Sequence, residues 1–147
     1  MSRIRKAALA ATLMLPFLAP AAMAEDTTLY QRLGGYDAIA AVTDDFLAQL
    51  MNDKEFAVFF AGMSDDTVKR VRQEVVEFFC QATGGPCNYT GRNMKTSHTG
   101  LGITSEQWQK SLVFFVASMN KFKVPENVQA ELAAAVSPLE ADIVDTR

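Results

Sequence analysis

Histidine is almost absent from this 147-residue chain, which has one, tryptophan is as rare, and cysteine occurs twice. The single imidazole, His98, excludes most imidazole chemistry. A zinc site draws on three or four protein ligands, usually several His or Cys, and a Ser-His or Cys-His pair needs a nucleophile held against the ring. Basic residues are also in short supply. Residues 25–147, 123 in all, carry 11 basic and 17 acidic side chains, a net charge of −6 with no basic stripe. Nucleic acid and anionic membrane surfaces are therefore poor partners for the chain.

The first two dozen residues read differently from the rest. Arg3, Arg5 and Lys6 precede an uncharged apolar run from Ala7 to Leu18, and Ala22-Met23-Ala24 places small residues around a cleavage point before Glu25. This is the pattern of a secretory signal peptide, so residues 1–24 are expected to be removed and residues 25–147 to form one domain, periplasmic or secreted. A membrane-spanning helix is disfavoured because Pro16 and Pro20 interrupt a run that is short for a bilayer, so no stable membrane insertion is expected. No Cys follows the cleavage point and no twin-arginine pair precedes it. Export is thus expected in the unfolded state, with any cofactor acquired outside.

The remaining apolar residues repeat with helical period. Leu29, Tyr30 and Leu33 predict a short helix ending at Gly34-Gly35, where left-handed backbone carries no steric penalty. Asp37 is the expected N-cap of a helix whose buried face holds Ile39, Val42, Phe46 and Leu50, and which runs to Asn52-Asp53. An aromatic cluster, Phe56 to Phe60, precedes a helix opened by Ser64 or Asp65. Its predicted buried face is Val68, Val71, Val75, Phe78, Phe79 and Ala82, and it stops at Gly84-Gly85-Pro86. Thr104-Ser105-Glu106-Gln107 reads as a capping box for a helix burying Trp108, Leu112, Phe115, Met119 and Phe122. Pro125 is placed as the first residue of a last helix bearing Val128, Leu132, Val136, Leu139 and Ile143, which Pro138 should kink or end. The chain is all-α, without repeats, low-complexity tracts or linkers.

His98 lies between these long helices, in a glycine-bounded segment from Tyr89 to Thr104 that is too short for a stable bundle helix of its own. Phe46, Phe59, Phe60, Phe78, Phe79, Trp108 and Phe115 cluster on the flanking helices, as a flat apolar cofactor slot requires. A lone imidazole suffices as the one protein ligand of a haem iron. The plainer alternatives are a packed or capping histidine in an unliganded bundle whose aromatics fill the core. The cysteines do not form Cys-x-x-Cys-His, so covalent c-type attachment through that motif is excluded. Cys80 ends a helix and Cys87 follows the Gly84-Gly85-Pro86 turn, so chain reversal brings a disulfide within reach, the alternative being two reduced, buried thiols.

The order of pieces resembles the group I truncated haemoglobins. The resemblance runs from Leu29-Tyr30-Gln31-Arg32-Leu33-Gly34-Gly35 through Phe59-Phe60, Gly84-Gly85 and Met94-Lys95-x-x-His98 to Val124-Pro125 and Pro138-Leu139-x-x-Asp142-Ile143-Val144. It implies a truncated globin, a two-over-two helical sandwich around haem b, with His98 as the proximal iron ligand and a diatomic gas, oxygen, NO or CO, as the reversible partner. Phe60 matches the aromatic on the haem face, Phe79 an apolar residue that lines the ligand tunnel in some relatives, and Trp108 and Phe115 the back of the pocket. Met94 and Ile103 flank His98 in the cofactor-binding segment. Arg92 and Lys95 match the haem-edge segment, where cations suit propionates, the alternative being solvated surface charge.

On the distal side the chain departs from the pattern. Leu47 stands where many members have tyrosine, and Val71 and Val75 stand where relatives often place a polar residue. Dioxygen as a ligand depends on a hydrogen-bond donor far more than CO or NO does, and an ionised Glu74 at the edge of that face accepts without donating. The resemblance thus implies haem binding more strongly than oxygen storage. It leaves open a nitric-oxide dioxygenase or peroxidase-like enzyme served by a separate reductase, a haem-based sensor or carrier, and closure of the sixth position by Met51 or Met63.

Overall fold

The computed structural model describes residues 27–145, and the expected leader, residues 1–24, lies outside them. Among the described residues the secondary structure is entirely helical, and no helix is long and apolar enough to cross a membrane. In chain order the elements are α1 (Leu29–Arg32), α2 (Gly35–Asn52), a 3-10 turn (Ala57–Phe59), α3 (Asp65–Ala82), α4 (Met94–His98), α5 (Ser105–Lys121), α6 (Glu126–Val136), a second 3-10 turn (Ser137–Leu139) and α7 (Glu140–Ile143). Helix α2 packs against both α3 and α5, and α4 rests on α7.

Local chemistry sets the boundaries. Thr28 and Gln31 form a reciprocal capping box at α1, Ser64 caps α3 by accepting from the Thr67 N–H, and Thr104 and Gln107 form the box expected at α5. Asn93 starts α4, its side-chain oxygen accepting from the Thr96 N–H at 2.8 Å. The cap of α2 differs from expectation. Gly34, with φ +96°, occupies that position, and Asp37 lies inside the first turn. The left-handed conformation at Gly34 turns the chain so sharply that the helix resumes at once, and the Asp37 carboxylate faces the positive helix end instead of capping it. Pro125 likewise caps α6 from outside, and Pro138 ends α6 at Val136, diverting the chain through a 3-10 turn.

The core gathers Leu33, Ile39, Val42, Val76, Cys80, Met119, Val128 and Leu132. Its members on α3 are Val76 and Cys80, both fully buried, whereas Ala82 is exposed, a correction to the expected face. Two stripes of α3 are apolar, one facing this core and one facing a cavity, so a single buried face describes only half of the helix. Phe122 is also exposed, because it is the C-cap of α5, where the chain unwinds. A second cluster, Leu47, Leu50 and Phe56, joins α2 to the aromatic corner that follows it. Cys80 and Cys87 are disulfide-bonded, with Cα atoms 5.7 Å apart. The turn they close fits tightly against α1. The Tyr30 N–H donates to the Thr83 carbonyl at 2.8 Å, and a Cβ added at Gly85 would meet the Tyr30 ring at 2.5 Å and the Cys80 carbonyl at 2.7 Å.

Candidate functional site

The histidine segment is built to present one nitrogen. His98 is the last residue of α4, and its Nδ1 lies 2.8 Å from the Met94 carbonyl oxygen, one turn back. A carbonyl only accepts, so Nδ1 carries the proton and Nε2 keeps its lone pair. The Ser97 hydroxyl sits 3.2 Å from Nδ1 while donating to the Asn93 and Met94 carbonyls at 2.9 and 3.1 Å. Fixing one ring nitrogen on backbone is how a metal-ligating histidine is oriented. Met94, Ser97 and His98 share one side of the five-residue helix.

That side borders a cavity of about 330 Å³, within the usual range for organic ligands. From α2 come Phe46, Leu47 and Leu50, and from the following corner Phe56, Phe59, Phe60 and Met63. Helix α3 contributes Val71, Glu74, Val75, Phe78 and Phe79, and α5 contributes Trp108, Leu112 and Phe115. Ile103 and Leu101 close the side beyond His98, and Arg92 and Tyr89 stand on the loop before α4. The aromatic wall is mutually braced: Phe79 stacks on Phe115 at 5.1 Å, and Phe46 meets Phe115 edge-on at 5.2 Å.

The residues expected to bind the cofactor border one cavity, with one exception, and of the two methionines considered for the sixth position Met63 borders it and Met51 does not. The exception, Lys95, is exposed and does not line it. With Met94, Ser97 and His98 turned inward, the helical rotation sends Lys95 to solvent. Arg92 is left as the cation of the lining, with Glu74 the carboxylate. Other lining residues were not singled out in the sequence. Leu139 and Ile143 belonged to a visible apolar pattern, but the Pro138 break redirects them to the cavity. Tyr89 carried no sequence signal. Its hydroxyl donates to the Arg92 carbonyl at 2.5 Å and its ring meets Phe78 edge-on. Burial pushes its phenol above the ordinary range, the Glu74 charge adds to that, and the Arg92 charge opposes it.

Polar groups within the wall are few and mostly engaged. Ser111 donates to the Trp108 carbonyl at 2.7 Å, and the Gln107 side-chain oxygen accepts from the Thr104 N–H. Leu47, Val71 and Val75 offer no donor, and Gln73, outside the lining, donates to Tyr36 and Glu77. The described residues contain no cluster of three or more His, Cys, Asp or Glu able to hold a bare metal ion. The donor set fits a flat apolar group that brings a metal with most of its ligands already supplied. One imidazole nitrogen would complete the coordination, and Arg92 suits an anionic edge.

The family model for bacterial-like globins matches residues 28–145, almost the whole described chain. This chain belongs to the bacterial-like globins, among the group 1 truncated haemoglobins. It is 32% identical to the group 1 truncated haemoglobin of Mycolicibacterium paratuberculosis, over 82% of this chain and 86% of that one. It is also 32% identical to the group 1 truncated haemoglobin of Synechocystis, over 74% of this chain and 88% of the relative. Among solved structures, truncated haemoglobin from Tetrahymena pyriformis superposes with a TM-score of 0.75 at 22% identity, covering 82% of this globin and all of that chain. The 2/2 haemoglobin of Synechococcus, solved with covalently attached haem, gives 0.73 at 21% identity, over 80% and 98% of the two chains. The two-over-two sandwich is thus the fold of this globin.

Proposed function

We propose that this globin binds haem b in the His98 cavity, with His98 as the proximal iron ligand, and reversibly takes a diatomic gas on the opposite face. The observation that carries this reading is the 2.8 Å bond from His98 Nδ1 to the Met94 carbonyl, which leaves Nε2 as a neutral donor at an aromatic-walled slot. When bound, the haem supplies an iron with a coordination position open to a gas. The chain does the rest. Phe60 and Phe79 would pack against the macrocycle, Arg92 would suit a propionate through a charge-assisted hydrogen bond, and Leu47, Val71 and Val75 present an apolar wall without a donor. Such a wall favours CO and NO over oxygen.

The setting we propose is outside the cytoplasm, with residues 1–24 as the cleaved leader. The Cys80–Cys87 bridge supports this, since disulfides persist in oxidising compartments. A separate reductase that keeps the iron ferrous belongs to the proposal. Titration of residues 25–147 with haemin tests the site directly, because Trp108 is the only tryptophan and lies in the cavity wall, so its fluorescence should be quenched as a Soret band grows. His98→Ala should abolish stoichiometric uptake. An alanine variant with a full Soret band at unchanged affinity would sink the proximal assignment.

A further inference from the structure

The aromatic corner between α2 and α3 brings Phe56, Phe59, Phe60 and Met63 to the cavity, and apart from the apolar contacts of Phe56 few polar ties hold it to the rest of the fold. Its internal bonds are local. The Asp53 carbonyl accepts from the Phe56 and Ala57 N–H groups, and Asp53 Oδ1 accepts from the Glu55 N–H at 2.9 Å. Across the gap to α5 stands Lys110. Its ammonium lies 2.8 Å from Asp53 Oδ2 and 3.2 Å from Glu55 Oε1, and sits over the rings of Phe56 and Phe114 at 5.7 and 5.8 Å from their centroids. Those two rings touch edge-on at 5.8 Å. Among the described residues, this ammonium makes the only ion pair or hydrogen bond between the corner and α5.

We propose that Lys110 is a positioning residue, the latch that holds the aromatic corner closed over the cavity and thereby sets how fast the cofactor escapes. The inference rests on the haem reading above but concerns a residue outside the cavity wall. Three features support it. Asp53 uses one oxygen to fold the corner and the other to bind Lys110, so the local turn and the long-range tie share a carboxylate. The ammonium meets two carboxylates and two ring faces together, a cage that a neutral side chain cannot fill. The Lys110 hydrogen bond also holds the Asp53 carboxyl below the usual carboxylate range, and Asp53 in turn raises the Lys110 ammonium, as expected of a tie formed in the folded chain. Phe56, the buried ring beneath the ammonium, belongs to the same cluster as Leu47 and Leu50, which links the latch to the distal wall.

The test compares wild type, Lys110→Met, which keeps the stem and loses the charge, and Lys110→Arg, which restores the charge. Haem transfer from each holoprotein to excess apomyoglobin gives the escape rate, and amide exchange on the same samples reports opening of the corner. The methionine variant should lose haem roughly five- to tenfold faster, and the arginine variant should stay within about twofold of wild type. Raising salt to about 1 M should speed loss from wild type and Lys110→Arg more than from Lys110→Met, in which the Arg92 contact remains to be screened but the charged tie of the corner is gone. Exchange at Phe59 and Phe60 should accelerate in the methionine variant while that at Val76 and Cys80 stays as in wild type. A methionine variant that keeps haem as well as wild type, that responds to salt as wild type does, or that exchanges faster at Val76 and Cys80 as well would overturn the latch. Should wild type take up no haem at all, the haem reading fails alone, and corner exchange in the same three chains still decides the role of Lys110.

Discussion

Replacing Leu47 by tyrosine tests the distal wall at its most informative point. Leu47 is 6% exposed on α2 and borders the cavity together with Val71 and Val75 on α3, so the wall contains no hydrogen donor at that level. One good hydrogen bond to a partially charged ligand contributes about 1.5–3 kcal/mol, which corresponds to roughly 10- to 150-fold in a dissociation constant. Stopped-flow oxygen release from the ferrous protein should therefore be fast in wild type and at least about tenfold slower in Leu47→Tyr. CO association should change far less, since CO draws little on a donor. Wild-type autoxidation should be rapid, and the variant should resist it. If wild type already releases oxygen slowly and Leu47→Tyr slows it no further, a donor other than these three side chains stands over the iron, and the account of the wall is wrong.

The Cys80–Cys87 bridge closes a loop of eight residues, for which chain entropy gives about 2.5 kcal/mol; Cys87→Ser should lower the urea unfolding free energy by about that amount, and Ellman titration of non-reduced, denatured wild type should find no free thiol. Gly85→Ala places a methyl within 2.5 Å of the Tyr30 ring and 2.7 Å of the Cys80 carbonyl, and thermal unfolding should show about 1–3 kcal/mol of destabilisation. Asp45 takes hydrogen bonds from Lys121, Ser118 and Gln49, and the bond from Lys121 foremost holds its carboxyl below the ordinary value. Its contribution is therefore complete above about pH 4 and is lost as pH falls through the lowered value. Asp45→Asn should be less stable than wild type at neutral pH, and denaturation curves of the two should converge in strong acid.

Local signals in this chain were readable because their partners sit within one turn. Thr104 and Gln107, Ser64 and Gly84 are of this kind, and each spacing carries its own geometry. The site was readable to the extent that apolar periodicity and family resemblance pick out the residues facing a slot. Arg92 and Lys95 show the limit. Three positions apart, they look alike in sequence and both are exposed, yet Arg92, on the loop before α4, borders the cavity, and Lys95, on the helix, does not. Val76 and Cys80 were hidden because α3 is apolar on two sides, which a single-face pattern merges. Ties such as Lys110 to Asp53 and Lys121 to Asp45 join residues far apart in the chain, and no local spacing encodes them.

Helix α3 is a partition one helix thick. Val76 and Cys80 on one side belong to the core, and Val71, Val75 and Phe79 on the other border the cavity. Phe79 and Phe115 serve both sides, packing on that core while they line the cavity, so the two sides are not independent. Beyond the core residues Val42, Val76, Met119 and Leu132, the disulfide-closed turn ties the end of α3 to the loop that leads to α4. What fills the cavity is coupled to the core through two stacked rings, and neither ring can be altered for one side alone.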